Sequence, residues 1–151
     1  MVRIAGASAS IGWRLMTHFT ETPLDDREVI SSDKAPAAIG PYSQAIRHGG
    51  LLFCSGVIPI NADGDLVDPE PAAQVEHCLG SLAGLAEAAG SSLDHALRVT
   101  VYTTALDRFD EINAAYARWF DSDPPARVAI GVSALPRGVA VELEAIVGIP
   151  G

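Results

Sequence analysis

One arginine and two glutamates lie within or next to apolar segments, where charged side chains are unusual and could have a chemical role. Arg127 follows Pro124-Pro125-Ala126 at the start of an apolar segment, and Glu142 and Glu144 lie within the last apolar segment. An arginine that enters a buried strand needs an anionic partner, because an unpaired buried charge is very costly. A carboxylate-binding arginine beside an acid/base glutamate is one explanation. An ion pair of Arg127 with either glutamate at a seam between subunits is the other.

An amide side chain also falls among apolar residues. Asn113 lies four residues after Phe109 and three before Tyr116, on the apolar stripe of a predicted helix. A polar amide at such a position must find a hydrogen-bond partner or line a cleft. A hydrogen bond to a neighbouring strand and a functional role both stay open.

The familiar catalytic arrangements are missing from the sequence. It contains no GxSxG, no HExxH and no dinucleotide-binding fingerprint. Cys54 and Cys78 form neither a metal-binding spacing nor a CxxC pair, so reduced thiols in an intracellular protein are the simpler interpretation.

Composition sets further bounds on the protein class. The chain has 151 residues, of which 48% are hydrophobic, enough for one domain with a substantial core. With 10 basic and 19 acidic residues its net charge is −9, which argues against a protein that tracks nucleic-acid phosphates. No apolar run approaches the roughly 18–20 residues that a membrane-spanning helix needs.

The beginning of the chain differs from the rest. We interpret residues 1–29 as an N-terminal extension and residues 30–151 as a single domain. The extension carries Arg3 and Arg14 ahead of any acid, as in a weak transit peptide, but a mobile tail or a true start at Met16 is the stronger interpretation. We expect a cytoplasmic protein, or a mitochondrial-matrix protein if the extension is a transit peptide.

The first part of the domain predicts a hairpin followed by a helix. Two short apolar runs, 43–48 and 51–55, surround Gly49-Gly50, which is typical of a tight β-hairpin. Pro71 begins an amphipathic helix whose apolar residues recur at intervals of three and four, and Gly90 ends it.

The second part predicts a strand, a helix and two more strands. The β-branched segment 98–104 is the first of these strands. Asp107 is placed to cap a second helix whose apolar stripe runs from Phe109 to Phe120. Segments 127–133 and 139–147 are the last two strands.

These elements predict an α+β fold of order ββαβαββ. Right-handed crossovers place both helices on one face of a single mixed sheet. In the last strand the odd-numbered residues 139–147 are all apolar and should meet the helices, whereas the other face carries Glu142 and Glu144 among apolar residues. Such a half-apolar face suggests burial against another subunit, so we expect an oligomer.

Several blocks of the sequence, in order along the chain, resemble one family of small enzymes. They extend over most of the chain, from Ile30 to Ile149. The blocks are Lys34 to Ala45, Leu52 to Gly56 with Ile58-Pro59, Glu87 to Asp94, Val99 to Tyr102, Pro125 to Arg127, Leu135-Pro136 and Val141 to Ile146. On these blocks the chain is identified as a member of the RidA (YjgF) reactive-intermediate deaminases.

This resemblance implies an assembly and a reaction. It implies a homotrimer of chorismate-mutase-like subunits with a ligand site in each cleft between subunits, in agreement with the expected oligomer. The implied reaction is the hydrolysis of enamine and imine intermediates, such as 2-aminoacrylate and 2-iminopropanoate, to 2-oxo acids and ammonia. It implies no metal and no organic cofactor. The implied partner is a small imine, enamine or 2-oxo acid, with no nucleic acid and no membrane.

The resemblance also assigns roles to individual residues. Arg127 matches the family arginine that holds the substrate carboxylate in a bidentate fork. Glu142 matches the glutamate that positions the attacking water and can shuttle its proton. Tyr42 and Ser55 match cleft hydroxyls that bond substrate or water, and Gly56 matches a position where the backbone comes close to the ligand.

Three further positions complete the comparison with the family pattern. Asn113 matches a cleft-facing position. Ala129 stands where many members carry a cysteine, so a thiol is missing but its main chain could still contact the ligand. Val57 stands where glutamine is common, which predicts a changed cleft polarity or substrate range.

Two other functions would use the same features. A non-catalytic trimer could hold a 2-oxo acid on Arg127 without turnover. An endoribonuclease, an activity attached to some relatives, is disfavoured by the net charge of −9.

Overall fold

A computed structural model of the chain describes residues 26–61, 63–120 and 122–151. The predictions made for residues 1–25 lie outside these described residues. Across the described part of the chain, we find no helix with the length and apolar character needed to cross a membrane.

Six strands form one mixed sheet in the order β1-β2-β3-β6-β4-β5. The strands are β1 Glu28–Ile30, β2 Ala45–His48, β3 Leu51–Cys54, β4 Ala96–Thr103, β5 Ala126–Gly131 and β6 Val141–Gly148. β4 and β5 run parallel, and the other neighbouring pairs are antiparallel. The single mixed sheet is confirmed, but β1 is a strand that the predicted order lacked, and it begins two residues before the predicted domain start.

The hairpin of β2 and β3 is confirmed. His48 pairs with Leu51 across a two-residue turn. Gly49 and Gly50 in that turn have φ angles of 57° and 78°. Positive φ at both central residues defines the turn type whose twist suits a hairpin, and glycine adopts it without strain.

The first helix, α1, spans Pro71–Ala88 as the sequence predicts. Proline stands in its first turn, where its missing N–H would be unsatisfied anyway. Gly90 follows its end with a φ of 77°. Apolar residues of α1 such as Leu79 and Leu82 are fully buried in the core, together with Leu143 of β6.

The second helix, α2, is shorter than predicted and is not capped by Asp107. It spans Phe109–Ala117, and Asp107 lies instead in a preceding 3₁₀ turn, Leu106–Arg108. No side-chain cap is formed, and acidic residues in the first turn interact favourably with the helix dipole. After Ala117 the chain tightens into i→i+3 bonds, and Trp119 and Phe120 pack against the core from outside the helix.

The two faces of the sheet differ as the last strand predicts. Val141, Leu143, Ala145 and Val147 of β6 are buried in the same core cluster as residues of both helices. The alternating residues, which include Glu142, are half-buried on the opposite face, which we call the open face.

The prediction of a buried strand at Arg127 is wrong for the single chain. β5 lies at the edge of the sheet, and all six of its residues are exposed. Val128 and Ile130 are each 42% exposed. An apolar strand at a sheet edge is typical of a surface that a second chain covers.

A glutamine at the start of α1 ties the helix to β6. Gln74 is 1% exposed, and its Oε1 accepts the backbone N–H groups of Ala140 at 2.8 Å and Val141 at 3.0 Å. Its Nε2 donates to the carbonyl of Asp68 at 2.9 Å. These three hydrogen bonds therefore form one junction between helix and strand around the buried Gln74 side chain.

We expect Gln74→Ala to lower the free energy of unfolding by about 2 to 5 kcal/mol, because it leaves two buried N–H groups without a partner. Urea unfolding followed by circular dichroism measures this difference. Ser81→Ala is the matched control, since Ser81 is also buried on α1 and its hydroxyl has no partner among the described residues. We expect its effect to stay within about 0.5 kcal/mol. Equal losses in the two variants would contradict the assignment.

Candidate active site

An irregular pairing of β3 with β6 creates the first part of the site. Phe53 pairs with Ile146, and the next contact between the two segments is the bridge of Val57 with Leu143. Between these two contacts the chain advances four residues after β3, from 53 to 57, but only three in β6, from 143 to 146. The extra residue means that residues 55–56 form a β-bulge. Bulges change the direction in which side chains and backbone point, and they are common next to active sites.

Glu142 occupies the space beside this bulge. A Cβ atom built on Gly56 would collide with Oε1 of Glu142 and lie 3.1 Å from its Cδ. Only glycine therefore lets the Glu142 carboxyl group lie against the backbone of the bulge. Gly56 is therefore required for the observed position of the Glu142 carboxyl group.

We expect Gly56→Ala to displace the Glu142 carboxyl and reduce the expected imine hydrolysis by about 100-fold, since misplacement by an ångström can have this effect. Initial rates with 2-iminopropanoate measure the loss. Gly148→Ala is the control, because a Cβ there meets only the His95 carbonyl at an ordinary 3.6 Å. An active Gly56→Ala variant with an unchanged Glu142 position would contradict the prediction.

Two hydroxyls lie on the same side of the molecule, and each has a distinct hydrogen-bonding capacity. The Ser55 hydroxyl donates to the carbonyl of Ser43 at 2.7 Å, so its lone pairs are free to accept. The Tyr42 hydroxyl accepts the backbone N–H of Ile39 at 3.3 Å, so its own proton is free to donate. Tyr42 is 47% exposed and therefore accessible to a ligand.

A small cavity lies between these groups. It has a volume of about 20 Å³ and is lined by Tyr42, Ser55, Gly56, Ile39 and Ile58, among others. A cavity of this size has room for about one water molecule. The cavity can therefore hold a water next to a hydroxyl donor and a hydroxyl acceptor, and Gly56 in its lining is the residue against which the Glu142 carboxyl lies.

The environment of Glu142 makes ionisation of its carboxyl group less favourable than for an exposed glutamate. Partial burial raises the pKa of the Glu142 carboxyl, and the neighbouring charge of Glu144 raises it further. Glu144 itself accepts a hydrogen bond of 3.1 Å from the Tyr102 hydroxyl on the open face. A carboxyl with a raised pKa takes up a proton more readily at neutral pH than an exposed one.

The second part of the site surrounds Arg127. Its Nη1 donates to Oδ1 of Asn113 at 2.8 Å. Its Cζ lies 4.7 Å from the ring centroid of Tyr116 and 5.6 Å from that of Phe109, within range of cation–π attraction. The amide of Asn113 is thus satisfied by Arg127, and the guanidinium is held by neutral groups on α2.

Pairing in the sheet shows which way Arg127 points. Arg127 is opposite Val99 of β4, and Val99 is opposite Ala145 of β6. Both of these partners are buried under the helices. Side chains of paired residues share a face, so Arg127 lies on the helix face, and so does Ala129 two residues later.

Arg127 and Glu142 of one chain therefore do not form a site together. Glu142 is opposite Tyr102 and lies on the open face, whereas Arg127 lies on the helix face. The expectation of an arginine beside its acid/base carboxylate is wrong within a single chain, because the two strands place these residues on opposite sides of the sheet. The structure brings Tyr42, Ser55, Gly56 and Glu142 into one half-site.

The other half-site consists of Arg127, Asn113 and Ala129. Among the residues that the structure describes, no carboxylate lies within 4 Å of the Arg127 guanidinium. In residues 26–61, 63–120 and 122–151 no group of three or more His, Cys, Asp or Glu side chains is placed to bind a metal ion.

Two structural details could not be read from the sequence. Gln44 holds the loop that leads to Tyr42, since its Nε2 donates to the carbonyls of Ala35 at 3.1 Å and Pro36 at 2.7 Å. Gln44 belongs to a block that resembles the family, but nothing in its spacing indicates this role. Val57, where a glutamine is common in the family, is buried in the hydrophobic core and also lines the small cavity, so its effect on cleft polarity stays a prediction.

The sequence is similar to one family of proteins over most of its length. A family model described as endoribonuclease L-PSP matches residues 32–149. The chain is 44% identical over 123 residues to the RutC family protein y4sK of Sinorhizobium fredii, which covers 81% of this chain and 98% of that protein. It is 39% identical over 121 residues to the 2-iminobutanoate/2-iminopropanoate deaminase of Mus musculus, which covers 80% and 90%.

A solved structure shows the same fold. The protein YyfA of Yersinia pestis, described as a member of the conserved Rid protein family, superposes with a TM-score of 0.78. The two sequences are 41% identical, and the match covers 82% of this chain and 99% of that one.

Proposed function

The chain belongs to the endoribonuclease L-PSP family, also called the YjgF/RidA/RutC family. Because one relative in this family is named as an imine deaminase, we propose that the chain hydrolyses reactive 2-imino acids to 2-oxo acids and ammonia. One observation carries the proposal. The Arg127 guanidinium is exposed and is fixed by a neutral amide and two aromatic rings, so most of its N–H groups are available to a carboxylate ligand. The 39% identity to a mouse protein named as an imine deaminase supports the same reaction.

We propose that the complete site forms between subunits of a homotrimer with the chorismate-mutase-like arrangement that the family resemblance implies. The two half-sites lie on opposite faces of the sheet, so a second copy of the chain is needed to bring Arg127 to Glu142 of the partner subunit. The apolar residues exposed on the open face and the edge strand, which include Phe53, Val128 and Ile130, support such an assembly.

In the proposed reaction the substrate enters as a protonated imine with a carboxylate. Arg127 binds the carboxylate, and the water held near Glu142 attacks the C=N carbon. A C–O bond forms, the electron pair of the C=N bond moves to nitrogen, and Glu142 accepts a proton from the water. Glu142 then returns that proton to the nitrogen of the tetrahedral intermediate. The C–N bond breaks as a lone pair of the hydroxyl oxygen forms the C=O bond, ammonia leaves, and the hydroxyl proton passes to the Glu142 carboxylate and from there to solvent.

The two hydroxyls of the half-site suit this sequence of steps. The Ser55 oxygen can accept an N–H of the iminium group, because its own proton is bound to the Ser43 carbonyl. The Tyr42 proton can be donated to the substrate or to the water. Water and imine are the only reactants, so no further cofactor is required by the balance of atoms and electrons.

Production of ammonia and 2-oxo acid from 2-iminopropanoate tests this function. The imine is generated in the assay from alanine by an amino-acid oxidase, and an enzyme-free reaction is run in parallel because such imines hydrolyse unaided. We expect clear acceleration by the protein. Rates equal to the enzyme-free reaction would contradict the deaminase, and binding of a 2-oxo acid without turnover would then support a metabolite-binding trimer.

The description of the matching family model favours testing a ribonuclease as well. Net charge argues against it, since a chain with 10 basic and 19 acidic residues lacks the positive surface that releases counterions from RNA. We therefore expect weak RNA binding with little dependence on salt. Cleavage of RNA that requires Arg127 would contradict this expectation.

A further inference from the structure

Three side chains of α2 contact the guanidinium of Arg127. Phe109, Asn113 and Tyr116 are spaced by four and three residues, so they lie on one face of the helix. We call this set the arginine cradle. Its contacts with Arg127 are the Asn113 hydrogen bond of 2.8 Å and the ring distances of 4.7 Å and 5.6 Å.

Tyr116 contributes to the cradle through its ring. The residue is 5% exposed, and its hydroxyl has no hydrogen-bond partner within the described ranges. A buried hydroxyl without a hydrogen-bond partner is unfavourable, so hydrogen bonding by the hydroxyl does not account for the buried position of Tyr116. The ring, by contrast, lies at 4.7 Å from the Arg127 Cζ and is itself packed against Phe120 at a centroid distance of 4.9 Å.

Asn113 contributes a neutral acceptor. Its Oδ1 binds one of the five N–H groups of the guanidinium and leaves the positive charge of Arg127 uncompensated. An aspartate at this position would present a carboxylate at the same distance and compete with any anionic ligand. Because Asn113 carries an amide and not a carboxylate, the positive charge of Arg127 stays available to bind the carboxylate of a ligand.

Residues at the two ends of α2 attach the cradle to the rest of the fold. Arg118 and the Trp119 indole both donate to the Glu76 carboxylate on α1. At the other end Arg108 donates to Glu70 at 2.6 Å, just before α1. Both ends of α2 are thus bound to the α1 segment, which fixes the cradle relative to the sheet.

We propose that Asn113 and Tyr116 are positioning residues that hold the Arg127 guanidinium in the orientation required to bind the substrate carboxylate. This inference rests on the proposed function and refines it, because it gives Asn113 a contact with the arginine in place of a contact with the substrate. A preorganised guanidinium loses less freedom when it binds its ligand, so the cradle should act mainly on affinity.

Kinetic constants of four variants test the proposal. We expect Asn113→Ala and Tyr116→Leu to raise the KM for 2-iminopropanoate about tenfold with kcat within about twofold, the size expected for one cation–π or hydrogen-bond contact. Tyr116→Phe keeps the ring and should resemble the wild type. Asn113→Asp neutralises Arg127 and should raise KM well beyond the alanine variant.

Several results would overturn the proposal. A Tyr116→Phe variant as impaired as Tyr116→Leu would show that the hydroxyl acts. An Asn113→Ala variant with reduced kcat and unchanged KM would show that Asn113 takes part in the chemistry. Asn113 is exposed, so its variants keep the test valid even if Tyr116→Leu fails to fold.

A spectroscopic measurement separates this proposal from the proposed function. The NMR signal of the Arg127 Nε–H group should be shifted by the ring current of Tyr116 in the wild type and in Tyr116→Phe, and the shift should disappear in Tyr116→Leu. If the protein does not hydrolyse imines but shows this pattern of NMR shifts, the proposed function is contradicted and the positioning of Arg127 by the cradle is still supported. A signal that does not respond to Tyr116→Leu would overturn the cradle whatever the activity.

Discussion

Arg127→Ala is expected to raise the KM for 2-imino acids by about 100- to 1,000-fold and to weaken binding of the 2-oxo acid product similarly, because a charged hydrogen-bonded pair lost from a binding site has effects of this size. Arg127→Lys should recover only part of the loss, since an ammonium group cannot form the bidentate fork. Initial-rate kinetics and calorimetric titration with pyruvate measure the two effects.

Stability should change little in the same variant, because Arg127 is exposed on an edge strand. Arg47→Ala is the matched control. Arg47 is also an exposed strand arginine, and its contact with Glu28 is a loose one of 3.9 Å. We expect this control to have wild-type kinetics. An Arg127→Ala variant with a wild-type KM would contradict the assignment of the carboxylate site.

A mixing experiment tests whether the site is shared between subunits. Arg127→Ala and Glu142→Gln subunits are each expected to have at most about 1% of wild-type activity alone at imine concentrations well below the wild-type KM. Mixed assemblies would contain sites in which a native Arg127 meets a native Glu142 of the partner subunit, so activity should return after mixing. No recovery in demonstrably mixed assemblies would mean that each chain uses its own pair of residues.

Local features of the fold could be predicted because short-range physics determines them. Gly49-Gly50 between apolar runs specifies a hairpin, and the proline and glycine at the ends of α1 specify its length. Alternation in the last strand correctly separated the buried residues from Glu142 and Glu144. Each of these predictions depends only on residues close together in the sequence.

Features that depend on pairing between distant segments could not be predicted in the same way. The positions of Arg127 and Glu142 on opposite faces follow from the register of β5 and β6 against β4, which no local pattern specifies. The apolar composition of β5 suggested burial within the chain, but the strand lies at the sheet edge and is exposed. The bulge at residues 55–56 also depends on distant pairing.

The candidate site was predicted mainly through family resemblance. Tyr42, Ser55, Gly56 and Glu142 do lie together, but the reason for Gly56 is its close approach to the Glu142 carboxyl. Asn113 was noticed because a polar amide stood on an apolar stripe, and the structure gives it Arg127 as its partner. The role of Tyr116 was hidden, because an aromatic residue on such a stripe is equally suited to the core.

Glu142→Gln is expected to lower kcat about 100-fold or more with little change in KM, because proton transfer by a positioned side chain contributes at least this much and binding by Arg127 is retained. Glutamine keeps the size of the side chain but cannot accept the proton of the attacking water. Initial rates at saturating imine measure the effect, and Glu28→Gln, at an exposed carboxylate of β1, is the control.

The pH dependence of the wild type gives a second measure of the same role. Burial and the charge of Glu144 raise the pKa of Glu142 above its ordinary value of 4.5, so kcat should fall on acidification at a higher pH than an exposed glutamate would cause. Glu144→Gln should move this acid limb to lower pH. Glu142→Gln should abolish this acid limb, and an acid limb that persists in that variant would show that Glu142 is not the titrating base.

Stability should move in the opposite direction from activity in Glu142→Gln. The folded state binds the Glu142 proton more tightly than the unfolded state, so the stabilising contribution is present below the unfolded pKa and is lost as pH rises through the raised folded pKa. Ionisation of Glu142 therefore places a charge at a partly buried position beside Glu144, and glutamine removes this unfavourable contribution. We expect urea unfolding at pH 7 to show a variant at least as stable as the wild type, whereas a destabilised variant would indicate that Glu142 supports the fold and not the reaction.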